Sequence, residues 1–279
     1  MGFLKSSHKE VFIICGNCIE VMKGLKDNSI DLVLTDPPFM ISSELKICRQ
    51  RNPVKYARRE HNITKIWKFR GKDLNYNFGS WDFFESKKDF LDFTYAWVKE
   101  CIRLLKSGGN FVSWFDKAKV SYLWDFLEDN GMKGHGILTQ VIQNPVPQAR
   151  KVKFMQATYS MVWASKKGVR HTFNYQLGQH PDYIVVPICS GKERIRDAEN
   201  NAIHPTQKPI KVVEWLIKYL SKENDVVLDP FLGTGTTGVA CIKLNRKFIG
   251  IEIDKYFCQQ AKKRVNDCKY QYELNFHKI

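Results

Sequence analysis

Hydrophobic and polar positions follow two different periods along this chain. Short apolar runs recur at VFIIC (11–15), DLVLT (31–35), NFVSWF (110–115), GILTQVI (136–142), TYSMVWA (158–164), DVVLD (225–229) and KFIGIEI (247–253). Their length and their β-branched and aromatic content predict strands, and an unbroken apolar run such as DLVLT predicts a strand buried on both faces. Between them lie stretches with helical spacing: IEVMKGL (19–25), KKDFLDFTYAWVKECIRLLKSGG (87–109), SYLWDFLEDNG (121–131), PIKVVEWLIKYLSK (209–222), GTTGVACIKLN (235–245) and KYFCQQAKKRVND (255–267). Gly108-Gly109 and Asn130-Gly131 read as helix stops, and Pro209 suits a first helical turn. Strand and helix in alternation predict an α/β fold with a doubly wound parallel sheet.

Two stretches leave this pattern. Residues 41–72 hold ten Lys/Arg and two acids with few apolar clusters, and read as a mobile basic loop. Residues 143–203 contain a basic turn, NPVPQARKVK, and a long irregular segment from 166 onward. Both read as insertions on a single domain spanning residues 1–279, and no repeat or low-complexity tract interrupts it.

Composition narrows the partners. The 279 residues are 43% apolar and 26% charged, as in an ordinary soluble domain with a sizeable core. No run of 18 apolar residues predicts a membrane span, and the opening MGFLKSSHKE lacks the apolar core of a signal peptide. Met1-Gly2 with Ser6 fits the short myristoylation pattern, a match that chance produces often. A net charge of +15, from 44 Lys/Arg against 29 Asp/Glu, points to a polyanion such as nucleic acid. Eight scattered cysteines without a secretion signal read as reduced thiols in a cytoplasm. Cys15-Gly-Asn-Cys18 lacks a second pair or a histidine cluster, so no metal site is expected.

Chemistry concentrates at two strand ends. Gly233-Thr-Gly235-Thr-Thr-Gly238 matches G-x-G-x-x-G between a predicted strand and a predicted helix, the context such a loop needs to hold a cofactor. Its helix N-terminus favours an anionic group. Glu252 ends the next strand 19 residues after Gly233, where a carboxylate can accept hydrogen bonds from ribose hydroxyls. A dinucleotide and S-adenosylmethionine (AdoMet) both suit this arrangement. The other end, Asp36-Pro37-Pro38-Phe39, offers acceptors on a stiff frame: a carboxylate, a carbonyl aimed by a proline held extended before a second proline, and no N–H from either ring. Phe39 adds an aromatic face. An amino group on a nucleobase matches this set, with two N–H donors and a ring to stack. Two acceptors out of the base plane would draw its nitrogen toward a tetrahedral shape and aim its lone pair at an electrophilic methyl.

At these residues the sequence resembles the AdoMet-dependent amino DNA methyltransferases. Asp36-Pro37-Pro38-Phe39 is similar to their D-P-P-[YF] motif, Phe231-Leu-Gly233-Thr-Gly235 to their F-x-G-x-G motif, and Glu252 in GIEID to the acidic residue that follows. His204-Pro205-Thr206-Gln207-Lys208-Pro209 is similar to a motif just upstream of the cofactor loop. GNCIEVMKGLKDNSIDLVLTDPPF resembles the family's common opening, with Asn17 where Asp is more usual. The catalytic motif precedes the cofactor motif, the permuted order of the beta class. The resemblance implies a Rossmann-like methyltransferase sheet in circularly permuted motif order. It implies Asp36, Pro37, Pro38 and Phe39 at the catalytic step. It places Asn17, Cys18, Asp36, Thr206, Lys208, Asp229, Phe231, Gly233, Thr234, Gly235, Thr236, Thr237 and Glu252 around AdoMet. Lys208 and the 234–237 backbone are candidates for the methionine carboxylate, and Glu252 for the ribose. The implied partners are double-stranded DNA, a second copy in a homodimer, and a cognate restriction endonuclease, in a bacterial or phage-type cytoplasm and with no membrane. Residues 143–203 would read the DNA sequence, and the 41–72 loop would close over the backbone and the flipped base.

Three readings compete. Adenine-N6 methylation is favoured by Asp36, because cytosine-N4 enzymes of the same family more often carry Ser there. A C5-cytosine enzyme needs a Pro-Cys dipeptide, which is absent. An NAD-dependent oxidoreductase would use the glycine loop but leaves Asp36-Pro37-Pro38-Phe39 and the charge without a role.

Overall fold

A computed structural model describes residues 10–40, 84–147, 154–196 and 206–276, with short pieces at 68–69, 72–73, 152, 200 and 202–203. Met1-Gly2 and Ser6, most of the 41–72 loop, and His204-Pro205 lie outside the described residues. The chain divides into two compact units, one of residues 1–37, 92–145 and 156–279, the other of 38–91 and 146–155.

The first unit is built on an eight-stranded sheet. Its strands are β1 (Val11–Cys15), β2 (Ile30–Thr35), β5 (Leu105–Phe115), β6 (Met132–Ile142), β7 (Thr158–Lys166), β8 (Tyr183–Val186), β9 (Val226–Asp229) and β10 (Lys247–Glu252), in the spatial order β1-β10-β9-β2-β5-β7-β6-β8. All neighbouring pairs are parallel except those of β7, which runs against both β5 and β6. The predicted doubly wound α/β sheet is therefore present, with one reversed strand inserted. Ile30, Leu32, Val33 and Leu34 of β2 are fully buried, as its unbroken apolar run requires of a central strand.

Helices cover the sheet. α4 (Ile210–Leu220), α5 (Thr236–Lys243) and α6 (Lys255–Phe276) pack side by side. α1 (Cys18–Lys23), α2 (Lys87–Leu104) and α3 (Val120–Asp129) form a second group, tied by the Arg103 guanidinium donating to Met22 O at 2.7 Å and by stacked Tyr95 and Phe126 rings 4.3 Å apart. Among the described residues, no helix is long and apolar enough to cross a membrane.

The second unit has an antiparallel pair, β3 (Lys68–Phe69) with β4 (Lys72–Asp73), at the end of the predicted basic loop. Nearby in sequence, Ser86 caps the start of α2 by accepting from Asp89 N at 3.1 Å.

Three expectations need correction. α2 stops at Leu104 rather than at Gly108-Gly109, and β5 starts at once. Leu105 pairs with Ile30, then Leu32 pairs with Asn110, so residues 106–109 bulge out of the ladder, which the left-handed Gly108 (φ 74°) permits. The 166–203 stretch is not wholly irregular: Tyr183–Val186 joins the sheet edge parallel to β6. Finally, the cysteines are not all thiols. Cys15 and Cys258 form a disulfide with Cα atoms 5.9 Å apart. Cys15 ends β1 in register with Glu252 at the end of β10, and α6 returns past that point three residues later. Fold topology, which spacing does not reveal, brings the pair together.

Candidate active site

β2 and β9 are neighbours at the centre of the sheet. From β2 the chain continues to β5 on one side, and from β9 to β10 on the other. Such a switch point opens a crevice at the carboxyl ends of the strands. Asp36 follows β2 directly and Asp229 ends β9, so the two Asp-Pro stretches meet at this crevice.

Asp229 fastens the two ends together. Its Oδ1 accepts from Thr35 Oγ1 at 2.7 Å and from Phe231 N at 3.1 Å, and its Oδ2 accepts from Thr237 Oγ1 at 2.6 Å. One buried carboxylate thus joins the end of β2, the turn after β9 and the first turn of α5. Burial pushes its carboxyl up to about 6, against the opposing pull of these three donors.

The glycine loop is held from several directions. Gly235 is left-handed (φ 83°), and a Cβ there would lie 3.2 Å from the Ala261 Cα of α6. Only glycine meets both conditions without strain. A Cβ on Gly238 would come within 2.9 Å of Val265, so its absence lets α5 and α6 close together. Arg264 on α6 donates to Thr234 O at 3.2 Å and to Thr236 Oγ1 at 3.0 Å. The loop is thereby fixed ahead of the first turn of α5, whose N–H groups favour an anion.

Glu252 closes the other side. Its Oε2 accepts from Gly233 N at 2.7 Å and its Oε1 from Asp254 N at 2.9 Å. Burial pushes this carboxyl up to about 7. Gly16 N donates to the backbone oxygen of Glu252 at 2.9 Å, which places the β1–α1 turn beside it. Asn17 caps α1, accepting from Ile19 N at 2.9 Å and Glu20 N at 3.3 Å. Cys18 is buried, and that burial pushes its thiol up to about 12. Phe231 stands edge-on to the rings of Trp97 and Phe93 on α2, with centroids 5.2 and 6.0 Å away.

At the end of β2, Asp36 forms an ion pair with Lys208, and both side chains are largely screened from solvent. The Lys208 ammonium lies 5.6 Å from the Trp114 ring and 5.8 Å from the Tyr159 ring, within cation–π range of each. Trp114 is fixed by its own N–H, which donates to Gln140 Oε1 at 3.0 Å. Burial, then the nearby Asp36 charge, raise the Tyr159 hydroxyl above its ordinary value. Next to Lys208, buried Gln207 donates to Glu193 O at 2.7 Å and accepts from Ile195 N at 3.0 Å. Thr206 is half-buried at the turn before it. Pro37 is buried, and Pro38 and Phe39 open the second unit of the chain.

Asp36, Lys208, Asp229, Phe231, residues 233–237 and Glu252 therefore gather along one strand-end edge of the first unit, with Asn17 and Cys18 on the turn beside Glu252. The sequence reading missed Thr35, Trp114, Tyr159 and Arg264. Thr35 could have been noticed as the residue preceding Asp36. The other three carry no local signal, because their roles depend on which strands and helices become neighbours. Among the described residues, no group of three or more His, Cys, Asp or Glu could hold a metal ion.

Known proteins share this organisation. A family model described as DNA methylase, of the N6/N4 type, matches residues 30–263. The chain is 35% identical over 271 residues to the type II methyltransferase M.HinfI of Haemophilus influenzae, covering 92% of this chain and 68% of that protein. It is 28% identical over 274 residues to the type II methyltransferase M2.MboI of Moraxella bovis, covering 95% and 91%. Among solved structures, the complex of M1.HpyAVI with SAM superimposes with a TM-score of 0.66 at 28% identity, covering 92% of this chain and 99% of that one. The cytosine-N4-specific PvuII DNA methyltransferase shares the fold at 16% identity, with a TM-score of 0.64 over 94% and 92% of the two chains. With its two Asp-Pro strand ends joined at the switch point and a family match running through both, the chain belongs to the N6/N4 DNA methylase family.

Proposed function

We propose that this protein is a site-specific adenine-N6 methyltransferase that uses AdoMet and acts on double-stranded DNA in a bacterial or phage-type cytoplasm. The observation that carries the reading is the hydrogen bond from Thr35 to Asp229, 2.7 Å long, which sets the acceptor-rich end of β2 beside the glycine loop. A donor amine and a methyl group held at these two ends would be neighbours.

The residues present fit AdoMet. The left-handed turn at Gly235 presents the first turn of α5, where N–H groups suit a carboxylate. Glu252, with Asn17 and Cys18 on the adjoining turn, suits a ribose and its base, and Phe231 supplies an aromatic wall. When bound, AdoMet supplies an electrophilic methyl on a sulfonium. Everything else is positioning. The Asp36 carboxylate and the Pro37 carbonyl accept the two hydrogens of the target amine, turning its lone pair out of conjugation, and Phe39 offers the stacking face. The methyl would pass directly from the sulfonium to the amine nitrogen, the S–C bond breaking as the N–C bond forms, with the thioether as leaving group, the surplus amine proton lost to solvent and no covalent enzyme intermediate. The base leaves the duplex first, because its amino group is out of reach in the stack. The net charge of +15 supports phosphate contacts, and these give DNA affinity a steep salt dependence. Residues 143–203 are assigned to sequence reading and the 41–72 loop to closure. The same reading expects a homodimer and a cognate restriction endonuclease.

Asp36 is the ground for adenine over cytosine. The test is methyl transfer to unmethylated bacterial DNA, followed by digestion to nucleosides and mass spectrometry. N6-methyladenine is the expected product. N4-methylcytosine would overturn the base assignment and keep the reaction class.

Glu252 gives a pH prediction. Burial holds its carboxyl near 7 in the fold, and hydroxyl donors favour the ionised form. Binding below that pH must release a proton. AdoMet affinity is therefore expected to be up to about tenfold weaker at pH 6 than at pH 8, flattening above the midpoint. Calorimetry in buffers of different ionisation enthalpy would read the released proton directly, and Glu252→Gln should abolish both effects.

A further inference from the structure

The disulfide between Cys15 and Cys258 joins the two segments that frame Glu252. Cys15 ends β1 in register with Glu252 and leads into the turn that carries Asn17 and Cys18. Cys258 lies in the first turn of α6. The chain runs from Glu252 to Cys258 through a capped turn. Asp254 N donates to Glu252 Oε1 at 2.9 Å, Asp254 Oδ1 accepts from Tyr256 N at 2.8 Å, and Asp254 O accepts from Cys258 N at 2.9 Å. Gly16 N, donating to Glu252 O at 2.9 Å, completes the circuit from the other side. The two ends of the bond differ: Cys15 is exposed and Cys258 is buried. A soluble thiol therefore has access to the Cys15 end, and exposed disulfides are the labile ones. Cys18 is a poor internal attacker, because burial pushes its thiol up to about 12 and leaves little thiolate near neutral pH.

We propose that Cys15–Cys258 is a thiol–disulfide exchange site for small soluble thiols, and that its closed form tightens the cofactor pocket around Glu252. The proposal rests on the AdoMet reading above and adds a redox control to it. In the opening direction a thiolate attacks Cys15 Sγ, the S–S bond breaks, and Cys258 Sγ leaves as a thiolate that takes up a proton. A second soluble thiolate attacks the mixed disulfide at the sulfur of the first, and Cys15 leaves in turn. The protein gains two electrons and two protons, and the two soluble thiols end as a disulfide. Exchange with a soluble disulfide runs the same steps backward. Return is favoured because the pairing of β1 with β10 and the packing of α6 on β1 keep the two Cα atoms close, 5.9 Å apart in the bonded form. In a reducing cytoplasm such a bond is transient, which suits a sensor. While it is closed, the β1–α1 turn and the start of α6 cannot separate, so Glu252 is oriented before AdoMet arrives. Opening returns that freedom, and binding must then remove it.

The experiment treats the folded protein with dithiothreitol or with oxidised glutathione. Alkylation with mass spectrometry then reads the state of Cys15 and Cys258, and calorimetry measures AdoMet affinity in each state. Dithiothreitol should expose both cysteines to alkylation without unfolding and weaken AdoMet binding about three- to tenfold, and oxidised glutathione should restore it. Cys15→Ser and Cys258→Ala should each bind AdoMet like the reduced protein and lose the response to either reagent. Cys15 is exposed, so its variant remains decisive if Cys258→Ala folds poorly. A bond that opens only on unfolding, or a response to dithiothreitol that survives in Cys15→Ser, would overturn the exchange site. Exchange with unchanged AdoMet affinity would overturn the coupling to the pocket while the AdoMet reading stands. Failure of AdoMet to bind in both states would overturn the AdoMet reading and the coupling with it.

Discussion

Replacing Asp36 by Ala is expected to lower the rate of methyl transfer to DNA by about 10³-fold, while AdoMet still binds. Asp36 is placed to accept from the amine in the reacting geometry, so its loss falls on the chemical step. The substitution has a structural cost as well, since it strips the ion-pair partner from Lys208 in a largely screened setting. Removing one member of such a pair can cost about 3–5 kcal/mol when burial is complete, and less here, because Asp36 is 23% exposed. Asp36→Asn separates the two effects. Asparagine keeps the shape and one acceptor oxygen, so the fold and the Lys208 contact should survive, yet its own N–H₂ meets the donor amine. A large fall in single-turnover rate for Asn, with an unchanged melting temperature, marks a catalytic acceptor. A wild-type rate in either variant would remove Asp36 from the mechanism.

How far the sequence could be read is clearest from these same residues. Asp36-Pro37-Pro38-Phe39 and the glycine loop were legible because each is a local pattern at the end of an apolar run, and strand ends are where α/β sheets place ligands. Glu252 was legible by its distance from Gly233. The partner of Lys208 was not, because the motif around Lys208 is remote in sequence from Asp36 and chain topology alone brings them together. The same holds for Arg264, which reaches the glycine loop from the middle of α6, and for Cys15 with Cys258. Gly108-Gly109 resembles a helix stop, yet Leu105 already pairs with Ile30, so tertiary pairing overrode the capping signal. Tyr183–Val186 was legible in principle, as a β-branched run between Asp182 and Pro187, and was hidden by the polar residues around it. The reversed strand β7 could not be inferred from its composition, which matches that of its parallel neighbours.

The second large effect is expected at Asp229, which acts on the site without being placed to react. Asp229→Ala leaves three donors behind in a buried setting: the Thr35 hydroxyl, the Thr237 hydroxyl and the Phe231 N–H. Each stranded donor costs about 1–3 kcal/mol, and the hydroxyls can turn toward other acceptors, so a total near 3 kcal/mol is expected in chemical denaturation. The loss also unties β2 from the glycine loop, so AdoMet affinity should fall with stability. Asp229→Asn retains an acceptor oxygen and should lose much less of both. A pH series sharpens the assignment. The carboxyl moves from 3.8 to about 6 on folding, so the folded state takes up a proton between these values. That contribution is fully present below 3.8 and disappears as pH rises through about 6. Replacement by Asn removes this titration, so the fall in stability between pH 4 and pH 6.5 should be shallower in Asp229→Asn than in wild type. Parallel pH curves for the two proteins would mean that the carboxyl titrates normally in the fold, and that the three donors hold it ionised.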